Sequence, residues 1–235
     1  YDGPLTVLVD RYSASASEIF AAAMQDYNRA LIVGEQTFGK GTVQQHRGLG
    51  KIYDLYDNPL GSVQFTIAKF YRIDGGSTQH KGVIPDILYP SAVEPAEWGE
   101  SQAENALPWD SINRANYTTF ADDTAALDVL TAKHNKRILQ DPEFSYIQDD
   151  IKEYKENKDK NFISLVKSVR EGEKKEAEEK SLARANERLQ RLGMETVTTL
   201  DDLPEDMEEL DPFLDEAANI TFDMIETGRY AITRN

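Results

Sequence analysis

Two short stretches of this chain hold residue types that can break an acyl bond. Ser13-Ala14-Ser15-Ala16-Ser17-Glu18 sets serines ahead of a helical pattern, and Phe38-Gly39-Lys40-Gly41-Thr42-Val43-Gln44 places a lysine between two glycines. A serine at a helix start can attack a carbonyl carbon. The N–H of the next residue, here Ala16, is one of the unsatisfied donors of a helix N-terminus and can hold the oxyanion that develops. Serine needs a base, and a lysine accepts its proton only when neutral, a state favoured by desolvation or by like-charged neighbours. A pocket formed by Phe38 and glycine backbone around Lys40 would supply the desolvation. Plainer readings compete. Ser15-Ala16-Ser17-Glu18 is also a capping box, in which Ser15 caps the helix and Glu18 bonds back, and spacing alone favours that role. Lys40 between turn glycines reads equally as an exposed loop lysine.

Other chemistries meet obstacles in the sequence. His46 lies near the lysine loop and could be the base of a Ser-His pair, whereas His80 and His134 read as ordinary surface or helix residues. There is no His-Glu-x-x-His and no paired-histidine spacing, which disfavours metal hydrolysis. Gly34-x4-Gly39-Lys40 after a strand pattern matches most of a phosphate-binding P-loop. Gly41, however, stands where that loop needs Ser or Thr, and Gly41-Thr42-Val43 is a poor helix start.

The elements around these stretches explain how they can meet. Leu5 to Val9 and Ala30 to Val33 are continuous apolar runs that predict strands buried on both faces. Between them, Ser17 to Tyr27 predicts a helix with Ile19, Phe20, Ala23 and Tyr27 on one stripe. Strand, helix, strand at this length is a βαβ unit with parallel strands, whose ends lie on one edge of the sheet, so both loops face one crevice. Alternation at Val63, Phe65 and Ile67, after a turn signal at Asp57-Asn58-Pro59, predicts a hairpin and hence a mixed sheet.

Composition changes near Pro90, from Gly, Thr, Val and Ile to Ala, Glu, Lys and Leu, and predicts one region over residues 1–90 and a helical one over 91–235. Leu127, Leu130, His134 and Ile138 share a helical face. Asp141-Pro142 caps and opens a helix carrying Phe144, Ile147, Ile151 and Tyr154. Phe162 to Leu192 predicts a long helix closed at Gly193. Its charged middle, Arg170 to Lys180, reads as a solvated face with i to i+4 pairs rather than an interaction site. Residues 201–216 hold nine acidic groups and no basic one. Their spacing lacks a calcium loop's alternating ligands and central Gly, so they read as a solvated connector, with Asp211-Pro212 starting a last helix. The expected fold is α/β with a mixed sheet, followed by an α-helical domain.

Bulk properties narrow the function. At 235 residues and 40% hydrophobic, the chain can bury a core, and no apolar run approaches the 18 or so residues of a membrane span. The net charge of −16 repels nucleic acid and anionic lipid, so neither is an expected partner. Absence of cysteine removes disulfides and thiol chemistry. The opening Tyr1-Asp2-Gly3-Pro4 has no initiating Met or leader pattern and reads as a start inside a longer protein.

At Ser13 to Glu18, Phe38 to Gln44 and Lys81-Gly82-Val83-Ile84-Pro85-Asp86-Ile87, the sequence resembles the tail-specific proteases of Gram-negative bacteria, in the C-terminal processing peptidase family. Asp141-Pro142-Glu143-Phe144 and Thr199-Leu200-Asp201-Asp202-Leu203-Pro204 resemble the extension of the long form, so the likeness covers nearly the whole chain. The resemblance implies a Ser-Lys peptidase in which Ser15 is the nucleophile, Lys40 the base 25 positions later, and Gln44 the residue that holds the lysine. It also implies protein substrates with nonpolar C-termini, room for an adaptor protein, a periplasmic location, and no metal or organic cofactor. The family's N-terminal helical region, its PDZ domain and a glycine loop with a second oxyanion donor have no counterpart in these 235 residues. The expectation is therefore that this piece alone is inactive. A non-catalytic module, with its acidic helical part docking a partner and Ser15 only a cap, is the alternative.

Overall fold

The computed structural model describes residues 1–50, 60–120, 125–160, 162–204 and 210–228. The turn signal at Asp57-Asn58-Pro59 lies outside them. Two compact units are formed, one by Tyr1–Lys152 with Pro212–Asn235 and one by Glu153–Asp211.

In the first unit, strand β1 (Thr6–Val9), helix α1 (Ala16–Asp26) and strand β2 (Leu31–Gly34) make the βαβ unit, with Thr6 opposite Leu31 and Val9 opposite Gly34 in parallel register. After β3 (Thr42–Gly48) and β4 (Ser62–Lys69), a short strand β5 (Ile87–Leu88) joins β2, also parallel, giving the order β1-β2-β5. Antiparallel strand pairing forms the β3-β4 ribbon, which bulges between Val43 and Gln44, and an isolated antiparallel bridge joins Gly76 to Ser111. Parallel and antiparallel pairing are thus both present, divided between two sheets. Asp86 leads into β5: its Oδ2 accepts the Ile32 N–H at 2.7 Å, and burial pushes its carboxyl above the usual carboxylate range.

Side-chain alternation sends successive residues of β2 to opposite layers. Ile32 packs with Val9, Val83, Ala21 and Ala22 beneath α1. Val33 packs with Ile87 and Tyr89 against Leu130 of α2 (Ala125–Ile138) and Ala217, Ile220 and Met224 of α5 (Pro212–Thr227). Two expectations change here. The buried face of α1 is Glu18, Ala21 and Ala22, while Ile19 and Phe20 are about half exposed, because small alanines let the helix lie close to the sheet and the Glu18 carboxylate has inward partners. Buried on both faces also fails for β1, since Leu8, at its edge, is 39% exposed.

His134 is buried, not a surface residue. Its Nδ1 lies 2.8 Å from Glu216 of α5, and its ring stacks on Tyr89 at 5.3 Å between centroids. Arg137 binds Glu216 through Nε (2.9 Å) and Nη2 (2.8 Å) and Asp223 through Nη1, and Lys133 reaches Asp223 at 2.8 Å. Burial pushes both carboxyls up, but hydrogen bonds from His134 and Arg137 to Glu216, and from Lys133 and Arg137 to Asp223, hold both below their ordinary values.

Asp141 caps α3 (Pro142–Asn157) by accepting the Glu143 N–H at 2.7 Å, and Phe144 is buried. In the second unit, α4 runs over Lys167–Arg191, starting five residues after Phe162. The Ser164 hydroxyl accepts the Val166 N–H at 3.2 Å, a local bond that competes with helix, and Val166 is extended. The charged stretch carries Lys174–Glu178 and Lys175–Glu179 pairs on exposed side chains. Gly193, at φ 71°, ends the helix, with the Met194 N–H donating to Leu189 O at 2.8 Å. Among the described residues, no helix is long and apolar enough to cross a membrane.

Candidate active site

The loop between β1 and α1 is shaped by Asp10. Its Oδ1 accepts the N–H groups of Tyr12 (3.0 Å) and Ser13 (2.8 Å) and the Ser13 hydroxyl (3.0 Å), which commits that hydroxyl. Ser15 then sits at the sharp strand-to-helix turn with φ 57° and ψ −108°, a conformation residues with a Cβ rarely adopt. A serine at a strained strand-to-helix turn is the arrangement by which nucleophile elbows present an exposed hydroxyl, and such strain persists only where surrounding structure enforces it. Ala16 is the first residue of α1 and is exposed, so its N–H is one of the helix's orphan donors.

The enforcement comes from Glu18. Its side chain is fully buried, and each oxygen accepts two hydrogen bonds. Oε2 takes the N–H of Ser15 (2.8 Å) and of Lys40 (2.8 Å); Oε1 takes the Thr37 hydroxyl (2.6 Å) and the Gly39 N–H (2.6 Å). One carboxylate thus fixes the backbone at both Ser15 and Lys40. The capping box is present, but its hydroxyl half falls outside strict hydrogen-bond geometry, leaving the carboxylate half as the strong one. A direct link, Phe38 N–H to Ser13 O at 3.0 Å, joins the two loops as well. Gly39 is required where it stands: at φ 90°, a Cβ would come within 2.9 Å of the His80 carbonyl carbon.

Lys40 is partly buried, and its Nζ donates to Gln44 Oε1 across a long 3.4 Å, while Gln64 Nε2 donates to the same oxygen at 2.6 Å. Lys40 and Gln44 are brought together, and so are the loops that carry Ser15 and Lys40. Among the described residues no hydrogen bond joins Ser15 Oγ to Lys40 Nζ. His46 is on β3, exposed, with its ring on Ser62 Oγ. The lysine loop leads into a strand rather than a helix, which removes the P-loop geometry. Sequence reasoning found Glu18 only as half of a cap. The Ser-x-x-Glu spacing names the residue, and nothing local reveals its bonds to Thr37, Gly39 and Lys40.

Residues 1–89 match the family model described as peptidase family S41, which defines the class of the α/β region. Residues 93–226 match that described as the C-terminal domain of tail specific protease (DUF3340). The chain is 47% identical over 230 residues to a tail-specific protease of Haemophilus influenzae, an alignment covering 96% of this chain and 33% of that one. A carboxy-terminal-processing protease of Bartonella bacilliformis is 46% identical over 85 residues, 36% of this chain and 18% of that one. Among solved structures, a photosystem II D1 C-terminal processing protease is similar at 40% identity over 39% of this chain and 21% of that one, with a TM-score of 0.30. The chain belongs to the tail-specific protease family, and it spans about a third of the length of the Haemophilus influenzae relative.

Proposed function

We propose that the full-length protein is a serine endopeptidase of Ser-Lys type, acting in the periplasm on proteins with nonpolar C-termini, and that this chain carries its catalytic pair. The observation that carries the reading is the Glu18 carboxylate, which accepts the backbone N–H of both Ser15 and Lys40 at 2.8 Å and so holds two chemically matched residues on one buried anchor. The strained turn at Ser15 and the family membership support it.

Ser15 Oγ attacks the scissile carbonyl carbon as its proton passes to neutral Lys40 Nζ, and the Ala16 N–H receives the oxyanion. Collapse breaks the C–N bond, the lysine ammonium gives its proton to the departing amine, and water then hydrolyses the acyl-enzyme with Lys40 again as base. Gln44 accepts a hydrogen bond from Lys40 and limits where the amine can point.

The test is labelling of the full-length protein with a fluorophosphonate probe, followed by peptide mapping. Labelling at Ser15 is expected, and both Lys40→Ala and Lys40→Arg should abolish it, because arginine stays protonated and cannot accept a proton. His46→Ala should retain most activity. Unlabelled Ser15, or a dead His46→Ala beside an active Lys40→Arg, would overturn the assignment. The first outcome would favour the partner-binding module instead.

A further inference from the structure

Three residues from the helical extension reach back onto the two loops that carry Ser15 and Lys40. Trp98 Nε1–H donates to Arg11 O at 2.9 Å, and its indole packs edge-on against Tyr12 at 5.2 Å between centroids, on the loop that ends at Ser15. The same indole also lies edge-on to Phe38, at 6.4 Å and 89°, two residues before Lys40. Gly99 follows at φ 91°, so close to the lysine loop that a Cβ would lie 2.2 Å from Phe38 O. The Glu100 N–H donates to that same carbonyl at 3.0 Å. The Glu100 carboxylate accepts Gln79 Nε2 at 3.3 Å, and Gln79 Oε1 in turn accepts the Gly41 N–H at 2.8 Å, one residue beyond the lysine. Glu18 ties the loops from inside the fold, and Trp98-Gly99-Glu100 ties them from outside.

We propose that Trp98, Gly99 and Glu100 form a positioning clip for the Ser15–Lys40 pair, contributed by the segment matched as the tail-specific C-terminal domain rather than by the peptidase segment. The inference rests on the Ser-Lys reading above. The clip touches no reacting atom. It holds the chain three and four residues ahead of Ser15 and on both sides of Lys40, so its loss shifts nucleophile against base. Sub-ångström to ångström misplacements of that kind act on the chemical step rather than on substrate affinity.

Trp98→Ala, Trp98→Phe and Gly99→Ala, made in the full-length protein, provide the test, with Ser15→Ala as control. The readouts are kcat and KM on an unfolded protein substrate with a nonpolar C-terminus, and the rate and final stoichiometry of fluorophosphonate labelling. Trp98→Ala is expected to lower kcat and the labelling rate constant about ten-fold or more, with KM changed by less than about three-fold and labelling still reaching one per chain. Trp98→Phe keeps the ring contacts and loses only the bond to Arg11 O, so its loss should be smaller. Gly99→Ala drives a methyl against Phe38 O and should resemble Trp98→Ala. A merely structural role lowers the stoichiometry and leaves the rate constant of the remaining active molecules unchanged; that outcome overturns the clip. Should Trp98→Ala fail to fold, Trp98→Phe and Gly99→Ala decide by the same criterion. Undiminished turnover in Ser15→Ala would show that the Ser-Lys reading itself had failed, and the clip with it.

Discussion

Ser15 holds φ 57° and ψ −108° at the entry to α1, a region that costs a residue with a Cβ on the order of 1–3 kcal/mol. Glycine adopts it freely, so Ser15→Gly should be more stable than Ser15→Ala by about 1 kcal/mol, the reverse of the usual order, with both inactive. Urea midpoints of the two variants check this, and an alanine variant as stable as the glycine one would mean that the turn is unstrained. Glu18→Gln replaces one acceptor oxygen by an amide NH2 that must face backbone or hydroxyl donors. It should cost about 2 kcal/mol or more in stability and slow Ser15 labelling, whereas an intact labelling rate would show that the clamp is dispensable. At this scale the sequence was legible for residue types and not for their bonds. Ser15, Lys40 and Gln44 stood out by motif. The anchor beneath them depends on loops 19 to 22 residues away from Glu18, and no local pattern encodes that.

The α2–α5 pairing is held by charges whose behaviour with pH has a definite sign. Glu216 and Asp223 are held below their ordinary values of 4.5 and 3.8. Such groups contribute stability that is fully present above those ordinary values and lost as pH falls through the lower folded ones. Thermal midpoints should therefore be flat from about pH 7 to about pH 5 and fall below about pH 4.5. Glu216→Gln with Asp223→Asn should blunt that fall; an unchanged acid profile in the double variant would remove these two carboxylates from the explanation. Glu216→Ala leaves Arg137 and His134 without their main partner. Arg137 is 30% exposed and recovers part of its hydration, so the cost should be about 2 kcal/mol rather than the 3–5 of a sealed pair. Helical periodicity put His134 on the right face without revealing its partner 82 positions away. It misjudged α1 because Ile19 and Phe20 outrank Ala21 and Ala22 in hydrophobicity, whereas close approach to the sheet selects small side chains.

Across the whole chain, the sheet takes one covering layer from near the start and most of the other from near the end, with Leu130 of α2 completing it. The change in composition near Pro90 is real, yet Ala217, Ile220 and Met224 pack on Val33 and Ile87. Truncation before Pro212 should strip that layer from Val33, Ile87 and Tyr89 and leave an aggregation-prone chain, even with Ser15, Lys40 and Trp98 retained. Size-exclusion chromatography and far-UV circular dichroism would check this; a monomeric, cooperatively melting truncation would show that the α1 layer alone suffices. Turn and cap chemistry made α3, α5 and the end of α4 readable, because Asp141-Pro142, Asp211-Pro212 and Gly193 act locally. The return of α5 to β1 has no local signal, since it closes a very long loop.

That loop has a consequence in time. Thr6 on β1 and Thr221 on α5 share a hydrogen bond across 215 positions of sequence. A ribosome adding about 5–20 residues per second delivers the second about 10–40 s after the first. Throughout that interval the nascent strands lack the part of their cover that α5 supplies. A nascent chain that has passed Glu100 but not reached α5 holds Ser15, Lys40 and Trp98 while Val33 and Ile87 still wait for Ala217, Ile220 and Met224. Arrival of α5 thus ends the interval in which the nascent sheet is most open to aggregation.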